Sequence, residues 1–255
     1  MMTTRFILQI EYDGSNYAGY QLQTGFPTIQ GETESALEKM YREPLRVHGS
    51  GRTDAGVHAL AQIVHFDPPR ELKNLNLKAA LNTLLPPDIR VIRTATGNKD
   101  FHARFSARMR HYRYIVSRRE SALDRRRVWF LHHDLDVEAM RTCAAMLTGE
   151  HDFTAFCSAQ AEVDHKRCIV SRSEWEKEGE RLIYSVSANR FLHSMVRSLT
   201  GTMTEVGKGR LTTEDFANLL EDRDPVLTAF TAPPQGLYLV RVDYDIPIVW
   251  EKEKA

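Results

Sequence analysis

The amino-acid sequence predicts an α+β fold with an extended, mixed, mainly antiparallel sheet. Segments with the two-residue alternation of strands and segments with helical spacing follow one another without strict βαβ alternation. The pattern of elements is repeated once, and the repeats meet near residue 105 without a flexible linker. We therefore predict an N-terminal half at 1–105, a C-terminal half at 106–250 and a charged tail at 251–255.

The first half contains four predicted strands and two predicted helices. Residues 5–12 place Phe6, Leu8 and Ile10 on one face, as a half-buried strand does. The second helix ends at Pro86-Pro87 because proline removes a backbone donor. The predicted strands are 5–12, 45–50, 61–67 and 89–96, and the predicted helices are 29–42 and 75–85.

The second half repeats this theme. Tyr112 and Tyr114 lie on one face of a strand and Arg113 on the other. A hairpin is indicated around Glu178-Gly179-Glu180. The predicted strands are 111–117, 168–177, 181–188 and 236–244, and the predicted helices are 136–147, 193–206 and 216–220.

Composition excludes several classes of protein. The chain has 255 residues, of which 42% are hydrophobic, so it can bury a core, and no apolar run is long enough to span a bilayer. Its N-terminus lacks a signal-peptide pattern, and its three cysteines show no CxxC pair. These features predict a cytoplasmic protein without disulfides, metal or membrane contact. With 34 basic and 34 acidic residues, the formal net charge is zero and does not indicate any class of binding partner.

Basic residues are concentrated between residues 102 and 127. Only Glu120 and Asp124 oppose the arginines there, and aromatic residues are interleaved with them. Arginine with aromatics suits phosphate contact and base stacking, which favours nucleic-acid binding. The alternative is a solvated basic face that acids elsewhere in the fold neutralise. The arginines are Arg104, Arg108, Arg110, Arg113, Arg118, Arg119, Arg125, Arg126 and Arg127.

The stretch GRTDAGVHA, residues 51–59, is the leading candidate for a reactive site. It places Asp54 on a glycine-bounded loop between two predicted strands. Scaffolds often present a reactive group in this way. On spacing alone, the preferred interpretation is a tight turn in which Asp54 bonds its own backbone.

Five blocks of sequence together resemble the bacterial tRNA pseudouridine synthase A family, from about residue 5 to 245. They are EYDGSNYAGYQ (11–21), GRTDAGVHALAQIVHF (51–66), FHARFSARMRHYRYIV (101–116), NRFLHSMVRSLTG (189–201) and GLYLVRVDY (236–244). The resemblance implies two ferredoxin-like (RNA-recognition-like) halves that share a sheet, with a basic active-site cleft between them. It also implies a homodimer that needs no cofactor or metal. The implied reaction is isomerisation of uridine to pseudouridine at positions 38, 39 and 40 of the tRNA anticodon stem-loop.

The resemblance assigns roles to individual residues. Asp54 matches the family's catalytic aspartate, and Arg197 matches the basic partner that orients it. Tyr112 matches an active-site tyrosine that stacks on uracil and relays a proton. Leu237 resembles the apolar residue that packs against the flipped base.

Further matches concern RNA. Arg52 resembles the arginine that fills the space left when the target base swings out, and Arg104 one that holds the RNA backbone. His58 lies inside a family motif without an assigned proton-transfer role, and Asp13 is interpreted as a turn residue. The predicted RNA-binding and base-flipping residues are Arg52, Phe101, His102, Ala103, Arg104 and Phe105.

Two departures from the family pattern concern specificity. Tyr20 stands where the family usually has tryptophan. The segment 157–166 is longer and more acidic than expected, with Glu162 and Asp164. Both leave the chemistry intact and bear on which tRNA and which position are chosen.

Two other functions compete with the synthase. A non-catalytic RNA-binding relative would have lost Asp54, Arg197 or Tyr112, and all three are present. A hydrolase using Asp54 with His58 would need a metal or a second carboxylate, and no such partner is evident in the sequence.

Overall fold

The computed structural model describes residues 5–70, 72, 75–158, 165–222 and 229–251. Within them are ten strands and five α-helices, so the predicted α+β class is confirmed. The chain divides into two compact units, residues 1–108 with 239–255 and residues 109–238. The predicted halves were 1–105 and 106–250, whereas residues 239–255, which include most of the C-terminal strand, belong to the first unit.

The first unit has the strand order β4-β1-β3-β10, and β2 also pairs with β3. β1 pairs antiparallel with both β3 and β4, and the β-α-β-β-α-β order along the chain is that of a ferredoxin-like unit. Its elements are β1 (Arg5–Tyr12), α1 (Ile29–Tyr41), β2 (His48–Gly49), β3 (His58–Phe66), α2 (Leu77–Leu84) and β4 (Ile89–Gly97), joined by β10 (Leu237–Tyr244).

The second unit has the strand order β5-β9-β8-β7, antiparallel throughout, and β6 pairs parallel with β5. The predicted hairpin around Gly179 is confirmed. The elements are β5 (Ala107–Ser117), β6 (Trp129–Phe130), α3 (Val137–Met146), β7 (Gly149–Asp152), β8 (Arg167–Glu178), β9 (Arg181–Ala188), α4 (Met195–Gly207) and α5 (Thr213–Asp222).

Side-chain caps explain where three helices begin. The side chain of Thr28 accepts a hydrogen bond from Gly31 N, that of Asn76 from Ala79 N, and that of Asp136 from Ala139 N. Each bond satisfies a backbone donor that the first helical turn leaves without a partner.

The sequence analysis missed or misjudged several short elements. β6 and β7 were not predicted, and the predicted strand 45–50 is reduced to β2, because two to four residues show no measurable periodicity. The helix predicted from residue 193 begins only at Met195.

The first unit also holds part of the predicted charged tail. Glu251 N donates to Thr94 O at 2.9 Å, and Thr94 Oγ1 donates to the Glu251 carboxylate at 2.6 Å. The guanidinium of Arg93 lies 5.0 Å from the centre of the Trp250 ring. The tail thus begins as an ordered segment, and its residues 252–255 lie outside the described residues.

Candidate active site and nucleic-acid interface

Asp54 lies on the aspartate loop, residues 50–57, which joins β2 to β3. Val57 N donates to Asp54 O at 3.2 Å, which closes a turn, and Gly56 adopts a φ of +76° that favours glycine. The Asp54 side chain is half-buried in the first unit. The loop therefore holds the carboxylate in a partly desolvated position.

A second segment of the first unit packs directly against this loop. We call residues 13–20 the clamp segment. Tyr20 N donates to Thr53 O at 3.0 Å, and Gly56 N donates to Tyr17 O at 3.3 Å. A Cβ on Gly19, which has a φ of +99°, would lie 2.7 Å from Thr53 O. Only glycine thus permits this close approach on both sides of Asp54.

His58 connects the start of β3 to the clamp segment. Gly14 N donates to His58 Nδ1 at 3.1 Å, and the imidazole is buried. Asp13 Oδ1 accepts hydrogen bonds from the backbone and the hydroxyl of Ser15, so its predicted turn role is confirmed. His58 therefore fixes the far end of the aspartate loop.

The arginine loop, residues 101–105, is held by two histidines of the same unit, the buried His65 and the half-buried His102. Ala103 N donates to His65 Nδ1 at 3.1 Å, and Tyr244 OH donates to Ala103 O at 2.7 Å. Arg104 N and Phe105 N both approach His102 Nδ1, at 3.2 and 3.3 Å. The imidazole nitrogens act as acceptors here, so these rings are neutral.

Burial separates the members of this loop. Ala103 is fully buried, and Phe101 packs beside the core cluster that contains it. Arg104 is exposed, and Phe105 is 77% exposed. The side chains that the loop offers to a ligand are those of Arg104 and Phe105.

Three histidine rings pack together behind the loop. The ring centres of His48 and His65 are 5.0 Å apart, and those of His65 and His102 are 4.6 Å apart. Burial, followed by the charge of Arg5 and the neighbouring histidines, lowers the pKa of His65 to about 3. Burial, followed by the charges of His48, Arg5 and Arg104, lowers the pKa of His102. His65 is therefore uncharged near neutral pH.

A cavity of about 300 Å³ opens beside these features and brings several predicted residues together. Arg52 lines it together with His102, Arg104 and Phe105 of the arginine loop. Sequence reasoning missed Arg46 and His48, which also line the cavity; their only sequence signal is their position just before the GRTDAGVHA stretch.

The second unit carries the remaining candidate residues. Arg197, in the first turn of α4, donates from Nε to Ala232 O at 2.9 Å, and Ala232 N donates to Arg197 O at 3.0 Å. Tyr114 OH donates to Pro233 O at 2.6 Å. These bonds fix the segment that leads into β10, where buried Leu237 is the first residue.

Tyr112 is buried on β5, on the same face as Tyr114, as the alternation predicts. Its ring meets Phe191 edge to face with centres 5.1 Å apart. Within this unit the structure thus joins Arg197 to the segment before Leu237, and it holds Tyr112 on β5.

The arginine-rich stretch is partly neutralised by acids elsewhere in the same unit. Arg108 pairs with Asp245, and Arg118 pairs with Asp134. Asp124, which precedes three arginines, is bound by Arg181 at 2.8 Å. For these arginines the structure agrees with the alternative interpretation, a basic surface that nearby acids neutralise. Any contact with nucleic acid is therefore left to the other arginines of the stretch.

None of the helices within the described residues is long and apolar enough to cross a membrane. No group of three His, Cys, Asp or Glu side chains there could hold a metal ion. The acidic residues Glu162 and Asp164 lie outside the described residues.

The fold and site define a class: an α+β protein that presents an aspartate on a glycine-bounded loop beside a basic, aromatic cavity. The family model described as tRNA pseudouridine synthase matches residues 9–106 and 143–245. The chain belongs to the tRNA pseudouridine synthase family, and the resemblance seen in the sequence is confirmed.

Individual relatives support this membership. The tRNA pseudouridine synthase A of Exiguobacterium sibiricum is 41% identical over 240 residues, which cover 94% of this chain and 96% of the relative. That of Listeria welshimeri is 43% identical and covers 95% of this chain and 100% of the relative. Among solved structures, the archaeal box H/ACA sRNP Nop10-Cbf5 complex matches 91% of this chain and 59% of its own, with 10% identity and a TM-score of 0.38, a likeness too distant to add to the assignment.

Proposed function

We propose that this chain isomerises uridine to pseudouridine in the anticodon stem-loop of tRNA, at positions 38, 39 and 40. The observation that carries the proposal is the family match, which includes the aspartate loop and extends through both units. The relatives that share 41–43% of their residues bear the name tRNA pseudouridine synthase A.

The reaction is an isomerisation, so the product contains the same atoms as the substrate, and it needs a carboxylate. The N1–C1′ glycosidic bond breaks, the uracil turns, and C5 bonds to C1′. The proton on C5 leaves, and N1 takes up a proton. Asp54 supplies the carboxylate that acts on the electron-poor intermediate, as carboxylates do in glycoside hydrolysis. This role of Asp54 is supported by the backbone hydrogen bonds at Thr53 and Val57, which hold the loop in place on either side of Asp54.

Residues of the second unit assist this carboxylate. Arg197 orients Asp54 through its guanidinium, whose Nε is anchored on Ala232 O. Tyr112 stacks on the uracil and relays the C5 proton through its hydroxyl. Leu237 packs against the flipped base. These assignments rest on the family motif and agree with the burial of Tyr112 and Leu237.

The RNA is held by the first unit. A target base inside a stem or a stacked loop must swing out before it can react. Arg52 fills the space that the base leaves, and Arg104 contacts the RNA backbone. His102 supports Arg104 through its backbone hydrogen bond, and Phe101 and Ala103 shape the loop from the core. The protein acts without cofactor or metal, as a cytoplasmic homodimer.

Tritium release tests the chemistry directly. An unmodified anticodon stem-loop labelled at uracil C5 should release tritium with the wild-type protein and none with Asp54→Asn. Asp134→Asn is the matched control, because its side chain is 91% exposed and lies in the second unit. Full release by Asp54→Asn would overturn the assignment, and no release by wild type would overturn the function. Light scattering that returns a monomer mass at micromolar concentration would contradict the dimer.

A further inference from the structure

The cavity beside the arginine loop has a lining that the proposed catalytic roles do not account for. Its volume of about 300 Å³ is at the lower end of the range of small-molecule sites. Asp54 is not among the residues that line it. Gly51 and Arg52 of the aspartate loop line the cavity, so a group bound there lies beside the Asp54 loop without contacting the carboxylate itself.

The charges around the cavity favour an anion. Arg46, Arg52 and Arg104 line it, and none of the described lining residues is Asp or Glu. Burial, followed by the charge of Arg104, lowers the pKa of Arg52. Arg46 has Glu34 as a partner outside the lining, at 3.5 Å. An anionic group would relieve the repulsion between Arg52 and Arg104 and would form strong charge-assisted hydrogen bonds.

An aromatic surface lies at the same place. Phe105 is 77% exposed, so most of its ring is accessible to a ligand. His102 packs against it with ring centres 4.4 Å apart, and the Arg104 guanidinium lies 5.7 Å from its centre. The ring is thus fixed in place while it remains open to a ligand. A fixed, exposed ring next to arginines is the arrangement on which single-stranded bases stack.

Tyr20 adds a polar group that the protein leaves unused. It lines the cavity and is only 4% exposed, and within the described residues its hydroxyl has no hydrogen-bond partner. A buried hydroxyl without a partner destabilises the free protein. The ring lies against Gly49, where a Cβ would come within 2.5 Å of the hydroxyl. The position of Tyr20 thus depends on the glycine-bounded wall of the cavity.

We propose that this cavity is a subsite for an unstacked nucleotide of the substrate RNA that is not the target uridine. Its phosphate lies among the arginines, and its base stacks on Phe105. The base edge hydrogen-bonds to the Tyr20 hydroxyl, which a small shift of the cavity wall makes accessible. The proposal rests on the proposed function, because it takes the substrate to be RNA. It makes Tyr20 and Phe105 specificity-determining residues.

The subsite is tested by asking whether removal of an RNA base and substitution of a cavity side chain have independent or coupled effects on RNA binding. Fluorescence anisotropy measures the binding of anticodon stem-loops in which one loop nucleotide at a time lacks its base. For wild type, loss of one particular base should weaken binding about tenfold. In Phe105→Ala, which has lost the stacking surface, loss of that same base should have little further effect. In Tyr20→Phe, which keeps the stacking surface, its effect should be smaller than in wild type. If every base removal weakens wild type and both variants equally, the subsite is overturned.

Thermal stability and RNA affinity, measured together, provide a second test. If Tyr20 had only a structural role, its hydroxyl would not affect RNA affinity. Tyr20→Phe should raise Tm, because it removes a hydroxyl without a partner, and should weaken RNA binding several-fold. Tyr184→Phe is the matched control, since its buried hydroxyl bonds to Ser173 Oγ at 2.9 Å in the second unit. It should lower Tm and leave binding unchanged. Unchanged RNA affinity in Tyr20→Phe overturns the role of its hydroxyl.

Binding and catalysis are measured separately, so the two proposals fail in different ways. Coupling without tritium release from the unmodified stem-loop by wild type would support the subsite and overturn the proposed function. Tritium release without coupling would support the function and overturn the subsite.

Discussion

The Nδ1 atom of His58 accepts a hydrogen bond from the backbone N–H of Gly14 at 3.1 Å. The bond joins residues 44 positions apart and ties β3, at the end of the aspartate loop, to the clamp segment. The same Nδ1 lies 3.2 Å from Oδ1 of Asp13, so His58 contacts two neighbouring residues of the clamp segment. His58 thus acts on Asp54 through the backbone of the loop.

The first prediction concerns this bond. His58→Ala should lower kcat at least tenfold, because the loop that carries Asp54 loses one anchor, while KM for RNA changes little. Stability should fall by about 1–3 kcal/mol, since Gly14 N is left buried without a partner. His58→Asn, whose side-chain oxygen can replace Nδ1, should recover most of kcat. Equal kcat values for the two variants would contradict the positioning role.

The second prediction compares two glycines of positive φ. Gly19 and Gly25 have φ values of +99° and +83°, but a Cβ would meet Thr53 O at 2.7 Å only at Gly19. Gly25→Ala should cost about 1 kcal/mol of backbone strain and leave activity unchanged. Gly19→Ala should also push the aspartate loop away and lower kcat strongly. Urea unfolding and tritium release separate the two effects, and similar kcat values for both variants would contradict the prediction.

Local pattern made much of this fold predictable. The alternation at Phe6, Leu8 and Ile10 correctly predicted β1, because a half-buried strand must show it. Helical spacing after Thr28, which caps α1, correctly predicted that helix. β6 was missed because its two residues are defined by parallel pairing with Val116 and Ser117, and such a contact leaves no local signal.

The candidate site likewise has features that the sequence predicts and features that only the structure reveals. Asp54 could be singled out because glycines and charge lie together in the sequence. The hydrogen bond from Gly14 to His58 and that from Ala103 to His65 join distant segments, so only the folded chain reveals them. The sequence shows Tyr20 only as a departure from the family pattern. Only the folded chain reveals that its ring packs against Gly49 and that its hydroxyl has no hydrogen-bond partner within the described residues.

The third prediction concerns the pH dependence of stability. The pKa of His65 is lowered to about 3 by burial first, then by Arg5, His102 and His48, and Asp67 opposes these effects. An unfolded histidine has a pKa of about 6.5, so between these values the unfolded chain binds more protons. The stabilisation by neutral His65 is therefore complete above about pH 6.5 and is lost as the pH falls towards 3.

The measurement is urea unfolding at about pH 5 and about pH 7.5. His65 should contribute a loss of up to about 1.4 kcal/mol per pH unit in this window. His65→Asn retains an acceptor for Ala103 N but does not titrate there, so its stability should depend less on pH. An equal pH dependence in wild type and variant would contradict the role of His65.

The fourth prediction concerns a buried ion pair near the C-terminal end of α4. Glu205 is 4% exposed and accepts hydrogen bonds from Lys208 at 2.7 Å and Arg210 at 3.1 Å. Burial raises its pKa, and the two cations outweigh burial and lower it. Glu205→Gln should cost about 3 kcal/mol of stability, because Lys208 is left buried without its counter-charge. Below the Tm of the variant, kcat should equal that of wild type, and a reduced kcat there would contradict the prediction.

The last prediction separates binding from turnover at Arg52. Arg52→Ala should lower turnover at least tenfold, because the space left by the flipped base is no longer filled and the base returns to its stack. RNA affinity should fall only a few-fold, since Arg46 and Arg104 keep the cavity positively charged. Arg172→Ala is the matched control, an exposed arginine of the second unit that pairs with Glu174. Anisotropy gives Kd, and single-turnover tritium release gives the rate. A wild-type rate in Arg52→Ala would exclude the base-flipping role, and a large loss of affinity at a normal rate would assign Arg52 to binding alone.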